Sequence, residues 1–188
     1  MKKRDRFIIG PTSGKQTIAM MSGELIMVDP NFKEWSKKDV LNIPSEPRPA
    51  TCVKIRRVHG NFRFSDIRKQ INMSRREILL TQSQIVKTIK THRSWLPLAE
   101  EGAILFFFQI PSGKTFVATA RRYTRKKRTY IYVGVHRDRS RVIWKQGDGK
   151  KYSVIIPSRA RSARPALRFY ELDRSIGPTK LPNPPLCT

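Results

Sequence analysis

A dense run of cations with interleaved tyrosines is the part of the sequence with the clearest chemistry. Six of the eight residues in Arg121–Arg128 are Lys or Arg, Tyr123 lies among them, and Tyr130 and Tyr132 follow. This many charges cannot be buried together, so we expect the run to project from the tip of a β-hairpin. Cationic side chains bind phosphates, and tyrosine rings stack on bases. The run therefore predicts an arm that binds nucleic acid.

Residues 65–90 form a second candidate region, because two helix starts occur close together. Ser65 is a good N-cap ahead of Asp66, and Ser74 stands three residues before Glu77, as in a capping box. Asn72 between them tolerates the left-handed conformation that ends many helices. The spacing predicts a pair of helices, of which the second ends before Pro97.

The sequence Ile71-Asn72-Met73-Ser74 within this region resembles the turn of the helix-turn-helix motif, with Ile78 at the buried position of the second helix. The resemblance implies that Arg75, Arg76 and Thr81 lie on a recognition helix that meets phosphates and base edges. Because the preceding segment looks like a strand rather than a helix, only a winged or irregular variant would fit. The alternative is an ordinary helical hairpin that packs on a sheet.

Positive charge is concentrated after residue 50. The chain has 188 residues with 39 Lys plus Arg against 14 Asp plus Glu, a formal charge of +25, of which residues 1–50 contribute 9 − 6 = +3. A nucleic acid would neutralise such a charge, so nucleic acid is the expected partner. The candidate binding residues are cations, aromatics and hydroxyls of this basic part: Arg68, Lys69, Arg75, Arg76, Thr81, Arg121, Arg122, Tyr123, Arg125, Lys126, Lys127, Arg128, Tyr130, Tyr132, His136, Arg137, Arg139, Arg159, Arg161 and Arg164.

Catalytic and metal-binding patterns are not recognisable in the sequence. Carboxylates are scarce after residue 50, and neither Cys52 nor Cys187 has clustered Cys or His neighbours, so we expect no metal, no cofactor and no disulfide framework. The three histidines are scattered, and only His136, beside Arg137 and Arg139, suits a metal-independent ribonuclease. We therefore expect no enzyme, with that ribonuclease as an alternative.

Hydrophobic periodicity predicts an α+β protein in four segments. Residues 1–50 are a β-rich segment with a Pro-rich connector, and residues 51–101 hold a strand and the helical pair. Residues 102–157 predict a five-stranded antiparallel small barrel or curled sheet, because five short strands follow one another with tight turns. Residues 158–188 are an Arg- and Pro-rich extended tail.

Composition and motifs together give three functional hypotheses. The first is a non-enzymatic nucleic-acid-binding protein, with DNA slightly favoured by the helix-turn-helix resemblance. The second is an RNA-binding subunit of a ribonucleoprotein complex, and the third is the ribonuclease. The N-terminal segment and the tail are candidate contacts with other protein subunits. No membrane-spanning or signal segment is apparent, so we expect a cytoplasmic or nucleoid-associated protein.

Overall fold

A computed structural model describes residues 6–21, 25–34, 40–74, 76–147 and 150–158, in which seven strands form one mixed sheet. The strands and helices are β1 (Arg6–Ile9), β2 (Ile26–Val28), α1 (Asn31–Glu34), β3 (Thr51–Val58), α2 (Phe64–Gln70), α3 (Gln82–Thr91), β4 (Gly102–Gln109), β5 (Thr115–Arg125), β6 (Arg128–Arg137) and β7 (Lys151–Pro157). The strand order is β1-β3-β7-β4-β5-β6-β2. The pairs β7–β4 and β6–β2 are parallel, and the other four are antiparallel.

Both faces of the sheet are covered by hydrophobic residues, and β4 contributes to both. Successive side chains of a strand point to opposite faces, so Phe106 and Phe108 join one buried cluster and Leu105 and Phe107 join the other. We call the Phe106 side the first face and the Phe107 side the second face. A strand buried on both faces reads as a continuous apolar run, as residues 103–108 do.

The two longer helices cover different faces. Ile85 and Ile89 of α3 pack in the cluster of the first face, whereas Phe64 and Ile67 of α2 pack in that of the second. The chain crosses from one to the other through a short 3₁₀ turn, Arg76–Ile78, followed by a single bridge between Leu79 and Phe107. The residues of the helix-turn-helix resemblance are thus divided between the two sides of the sheet.

The expected barrel with a central helical pair is therefore wrong. The β5–β6 hairpin and the strands before it follow the sequence pattern, but β7 does not pair with its predecessor in the chain and inserts between β3 and β4. Residues 141–145, which the sequence pattern makes the fourth of the five strands expected in residues 102–157, form only an isolated bridge between Trp144 and Phe62. The predicted second helix is interrupted because Leu80 N donates to Phe107 O, which turns the chain along β4 before Thr81 caps α3.

Some local signals within this region appear where the sequence placed them, but the expected N-cap is wrong, because α2 begins at Phe64 with Arg63 as its N-cap and Ser65 lies inside the helix. Asn72 has a φ of 51°, and Ser74 N donates to the Glu77 carboxylate at 2.7 Å. Ser74 and Glu77 thus begin only the 3₁₀ turn Arg76–Ile78, because capping residues specify where a turn begins but not how far a helix continues. Cys52 lies half-buried in β3.

Candidate nucleic-acid interface

The second face of the sheet divides into a part covered by α2 and a part formed by β5 and β6 that carries polar and aromatic side chains. On β5 these are Thr119, Arg121, Tyr123 and Arg125, and on β6 they are Arg128, Tyr130, Tyr132 and His136, with Gly134 between the last two. We call these nine residues the aromatic–basic surface. They share a face because side chains alternate along each strand and because the β5–β6 register pairs Arg121 with Tyr132 and Tyr123 with Tyr130.

Arg121 lies at the centre of this surface. The Cζ atom of its guanidinium lies 5.2 Å from the ring centroid of Tyr123 and 5.5 Å from that of Tyr132. The two rings are themselves perpendicular, with centroids 6.1 Å apart. Both guanidinium distances are within the range of a cation–π interaction, which fixes the orientation of the cation. Arg121 is half-buried, whereas Tyr123 remains 37% exposed.

His136 lies where the aromatic–basic surface meets the part covered by α2. Its ring centroid is 5.4 Å from that of Phe64 and 5.0 Å from that of Trp144. Burial lowers the pKa of His136 below its ordinary value of 6.5, the carboxylate of Asp29 opposes this shift, and the charge of Arg121 adds to it. His136 is therefore held as a neutral ring at neutral pH.

Asp29 places a carboxylate next to Tyr132 in a strongly basic region. It follows β2, which runs parallel to β6, and its Oδ2 atom accepts from Tyr132 Oη and from Val135 N, both at 3.4 Å. Its Oδ1 atom accepts from Asn31 N at 3.0 Å. Burial raises the pKa of Tyr132, and the negative charge of Asp29 raises it further. The Tyr132 hydroxyl therefore stays protonated as a donor.

Gly134 gives the Tyr132 ring room on this surface. A Cβ atom at position 134 would lie 2.9 Å from Thr119 Oγ1 and 3.0 Å from Tyr132 Cε1. Both distances are shorter than normal van der Waals contacts, so a larger residue would displace the ring. The absence of a side chain thus helps to keep Tyr132 beside Arg121.

The tip of the β5–β6 hairpin carries two exposed lysines in an uncommon backbone conformation. Lys126 has a φ of 48° and Lys127 a φ of 62°. A two-residue hairpin loop with positive φ at both positions is a type I′ turn, which prefers Asn and Gly. The turn separates Arg125 from Arg128, which are directly paired across the strands. Four adjacent exposed cations therefore form the end of the hairpin.

The structure brings many of the predicted binding residues together, and it places others elsewhere. Arg122 and Arg137 point to the first face, opposite the aromatic–basic surface, and Arg139 lies in the turn after β6. Arg75, Arg159, Arg161 and Arg164 fall outside the described residues.

The predicted residues of the helical region have different surroundings. Arg68 donates to the Asp138 carboxylate at 2.7 Å, and Asp138 is 1% exposed, so this arginine ties α2 to the turn after β6. Lys69 is exposed on α2, and Arg76 is exposed in the 3₁₀ turn. The Thr81 side chain accepts from Gln84 N at 3.2 Å and caps α3. Arg68 and Thr81 are thus engaged in contacts within the protein, whereas Lys69 and Arg76 are exposed.

Sequence reasoning missed three residues beside the aromatic–basic surface. Trp144 packs edge-on to His136, Tyr152 packs edge-on to Trp144, and the Asp29 carboxylate accepts from Tyr132 Oη. Each reaches this surface through strand pairs or bridges between segments distant in the chain. No local pattern in the sequence signals such contacts.

Comparison with protein-family models, with curated proteins and with solved structures finds no match to this chain. In the described part of the chain, no three or more His, Cys, Asp or Glu residues cluster where a metal ion would bind. The helices among the described residues are also too short or too polar to cross a membrane. Any functional conclusion therefore rests on the chemistry of the sheet surface.

Proposed function

We propose that this protein is a non-enzymatic nucleic-acid-binding protein that binds single strands on its aromatic–basic surface. The observation that carries the proposal is the combination of a half-buried arginine, several tyrosines and a cationic hairpin end on the part of the second face that α2 does not cover. Aromatic rings stack on bases only when those bases are unpaired, and cations follow the phosphate backbone. RNA and single-stranded DNA are both candidate ligands.

The test compares the affinities of the protein for single-stranded RNA, single-stranded DNA and duplex DNA of mixed sequence, measured by fluorescence anisotropy at several salt concentrations. Single strands should bind more tightly than the duplex. Affinity should fall with salt, with a logarithmic slope of about 0.7 per neutralised phosphate on single strands. A flat salt response, or tighter binding of the duplex, would contradict the proposal.

Matched double variants locate the surface. Replacing Arg125 and Arg128 with Ser should lower the affinity for all nucleic acids and reduce the salt slope by up to about 1.4. Replacing Lys90 and Arg93 with Ser removes the same charge from an exposed helix end and the following turn, away from the hairpin. The control pair should change the slope by less, and an equal effect of both pairs would indicate unspecific attraction to the total charge.

A further inference from the structure

Arg121 differs from the four cations at the end of the hairpin in its surroundings. Arg125, Lys126, Lys127 and Arg128 are exposed, whereas Arg121 is half-buried between two tyrosine rings. Exposed lysines and arginines lose conformational freedom when they bind a phosphate, which reduces their contribution. A stacked guanidinium is already oriented and loses less. Arg121 is therefore suited to a defined contact rather than to diffuse attraction.

The hydrogen bonding of Arg121 is incomplete. Its Nε atom is buried without a partner, and Arg121 forms no ion pair with a described carboxylate. The nearby carboxylate of Asp29 instead accepts from Tyr132, Val135 and Asn31. A partly buried cation without a counterion is costly, and an anionic ligand at the guanidinium would remove part of this cost.

The neighbours of Arg121 suit a phosphate with an attached nucleoside. The Arg121 Cζ atom lies near the rings of Tyr123 and Tyr132. The positive charge of Arg121 also lowers the pKa values of Tyr132, His136 and Tyr152. Guanidinium N–H groups bind phosphate oxygens in a bidentate manner, and tyrosine rings offer faces for a base.

We propose that Arg121 forms a phosphate subsite on the aromatic–basic surface, which binds a single nucleoside monophosphate with its base stacked on Tyr123 or Tyr132. This inference rests on the proposed function and makes it more specific. The exposed cations of the hairpin end act on the polyanion as a whole, whereas the Arg121 subsite recognises one nucleotide. A ligand that is too short to reach the hairpin end should therefore still bind.

The experiment measures binding of a nucleoside 5′-monophosphate, the same nucleoside without phosphate, and inorganic phosphate to the full chain by isothermal titration calorimetry. The monophosphate should bind more tightly than either fragment. Arg121→Gln should weaken its binding about tenfold to a hundredfold, because a charge-assisted bidentate contact is lost. Arg121→Lys keeps the charge but not the fork and should give a smaller loss.

Arg122→Gln is the matched control, since Arg122 is also half-buried with an unpartnered Nε atom but points to the first face. It should leave monophosphate binding unchanged, and thermal melting verifies that each variant is folded. Equal losses in both variants, or no measurable binding of the monophosphate to the unmodified protein, would overturn the subsite. Single-strand binding that persists in that case would preserve the proposed function, so the two failures are distinguishable.

Discussion

His136 connects the buried and the uncovered parts of the second face through its own ring. Phe64 and Trp144 lie on one side of it, and the charges of Asp29 and Arg121 act on it from the other. Because burial favours the neutral ring, protonation of His136 works against the packing of α2 on the sheet. A single residue thus links stability to pH at the edge of the proposed binding surface.

The pKa of His136 predicts the direction of this link. Its folded-state pKa is lowered below 6.5, so the unfolded chain binds the proton first as the pH falls. The stabilisation from the neutral ring is complete above about pH 6.5 and is lost as the pH falls through the folded-state pKa, with a slope of at most about 1.4 kcal/mol per pH unit. Urea unfolding of the wild type and of His136→Gln, from about pH 7.5 to about pH 5, measures how the free energy of unfolding depends on pH.

The variant should show the shallower dependence of unfolding free energy on pH. His136→Phe, which retains an aromatic ring against Phe64 and Trp144, should also remove the dependence while losing less stability at neutral pH. Identical pH slopes in the wild type and both variants would show that His136 does not contribute.

The β5–β6 turn holds two lysines in a backbone conformation that is costly for them. Lys126 and Lys127 occupy positive φ values where Asn and Gly are favoured. Changing them to Asn and Gly should raise the unfolding free energy by about 1 kcal/mol, because the left-handed conformation is costly for lysine. The same change should weaken nucleic-acid binding, because two cations are removed. Denaturant unfolding and anisotropy measure the two effects.

A second double variant separates charge from turn conformation. Replacing Lys126 and Lys127 with Ser removes the same charge without supplying a favoured turn residue, so affinity should fall equally while stability should not rise. If the Asn-Gly variant is less stable than the wild type, the turn is not the type I′ turn described. Side-chain contacts would then stabilise the positive φ values of the two lysines.

The elements also show how far the sequence could predict the site. The sequence predicted the hairpin that brings Tyr123, Tyr130 and Tyr132 together, because strand alternation and a short turn are local properties. It did not predict that Arg121 lies half-buried within β5 instead of projecting with the tip, or that His136 shares its face. The order of the strands in the sheet was not predictable from local patterns. The last strand, β7, lies between β3 and β4, and β2 lies at the edge of the sheet next to β6. The predicted helical pair was wrong because capping residues indicate only where a helical turn starts. Tertiary packing decides on which side of the sheet each helix lies.

For the whole molecule, the sheet connects segments that the sequence pattern treated separately. The strands β1 and β2 come from residues 1–50, β3 from residues 51–101, and β4 to β7 from residues 102–157. Hydrogen bonds join β3 to β7 and β7 to β4, so the segments share backbone pairing as well as hydrophobic cores. We therefore expect the described sheet to unfold as one cooperative unit.

Two neighbouring substitutions on β4 test this cooperativity, because Phe106 belongs to the first-face cluster and Phe107 to the second. Phe106→Leu and Phe107→Leu should each lower the unfolding free energy by about 1 to 2 kcal/mol, since each loses buried volume in a packed core. Native-state hydrogen exchange should show equal losses in the best-protected amides of β3 and of β5 for both variants, since these amides exchange through global unfolding. A loss confined to one strand in either variant would show that the chain contains separately folding units, with a boundary near residue 50 or 101.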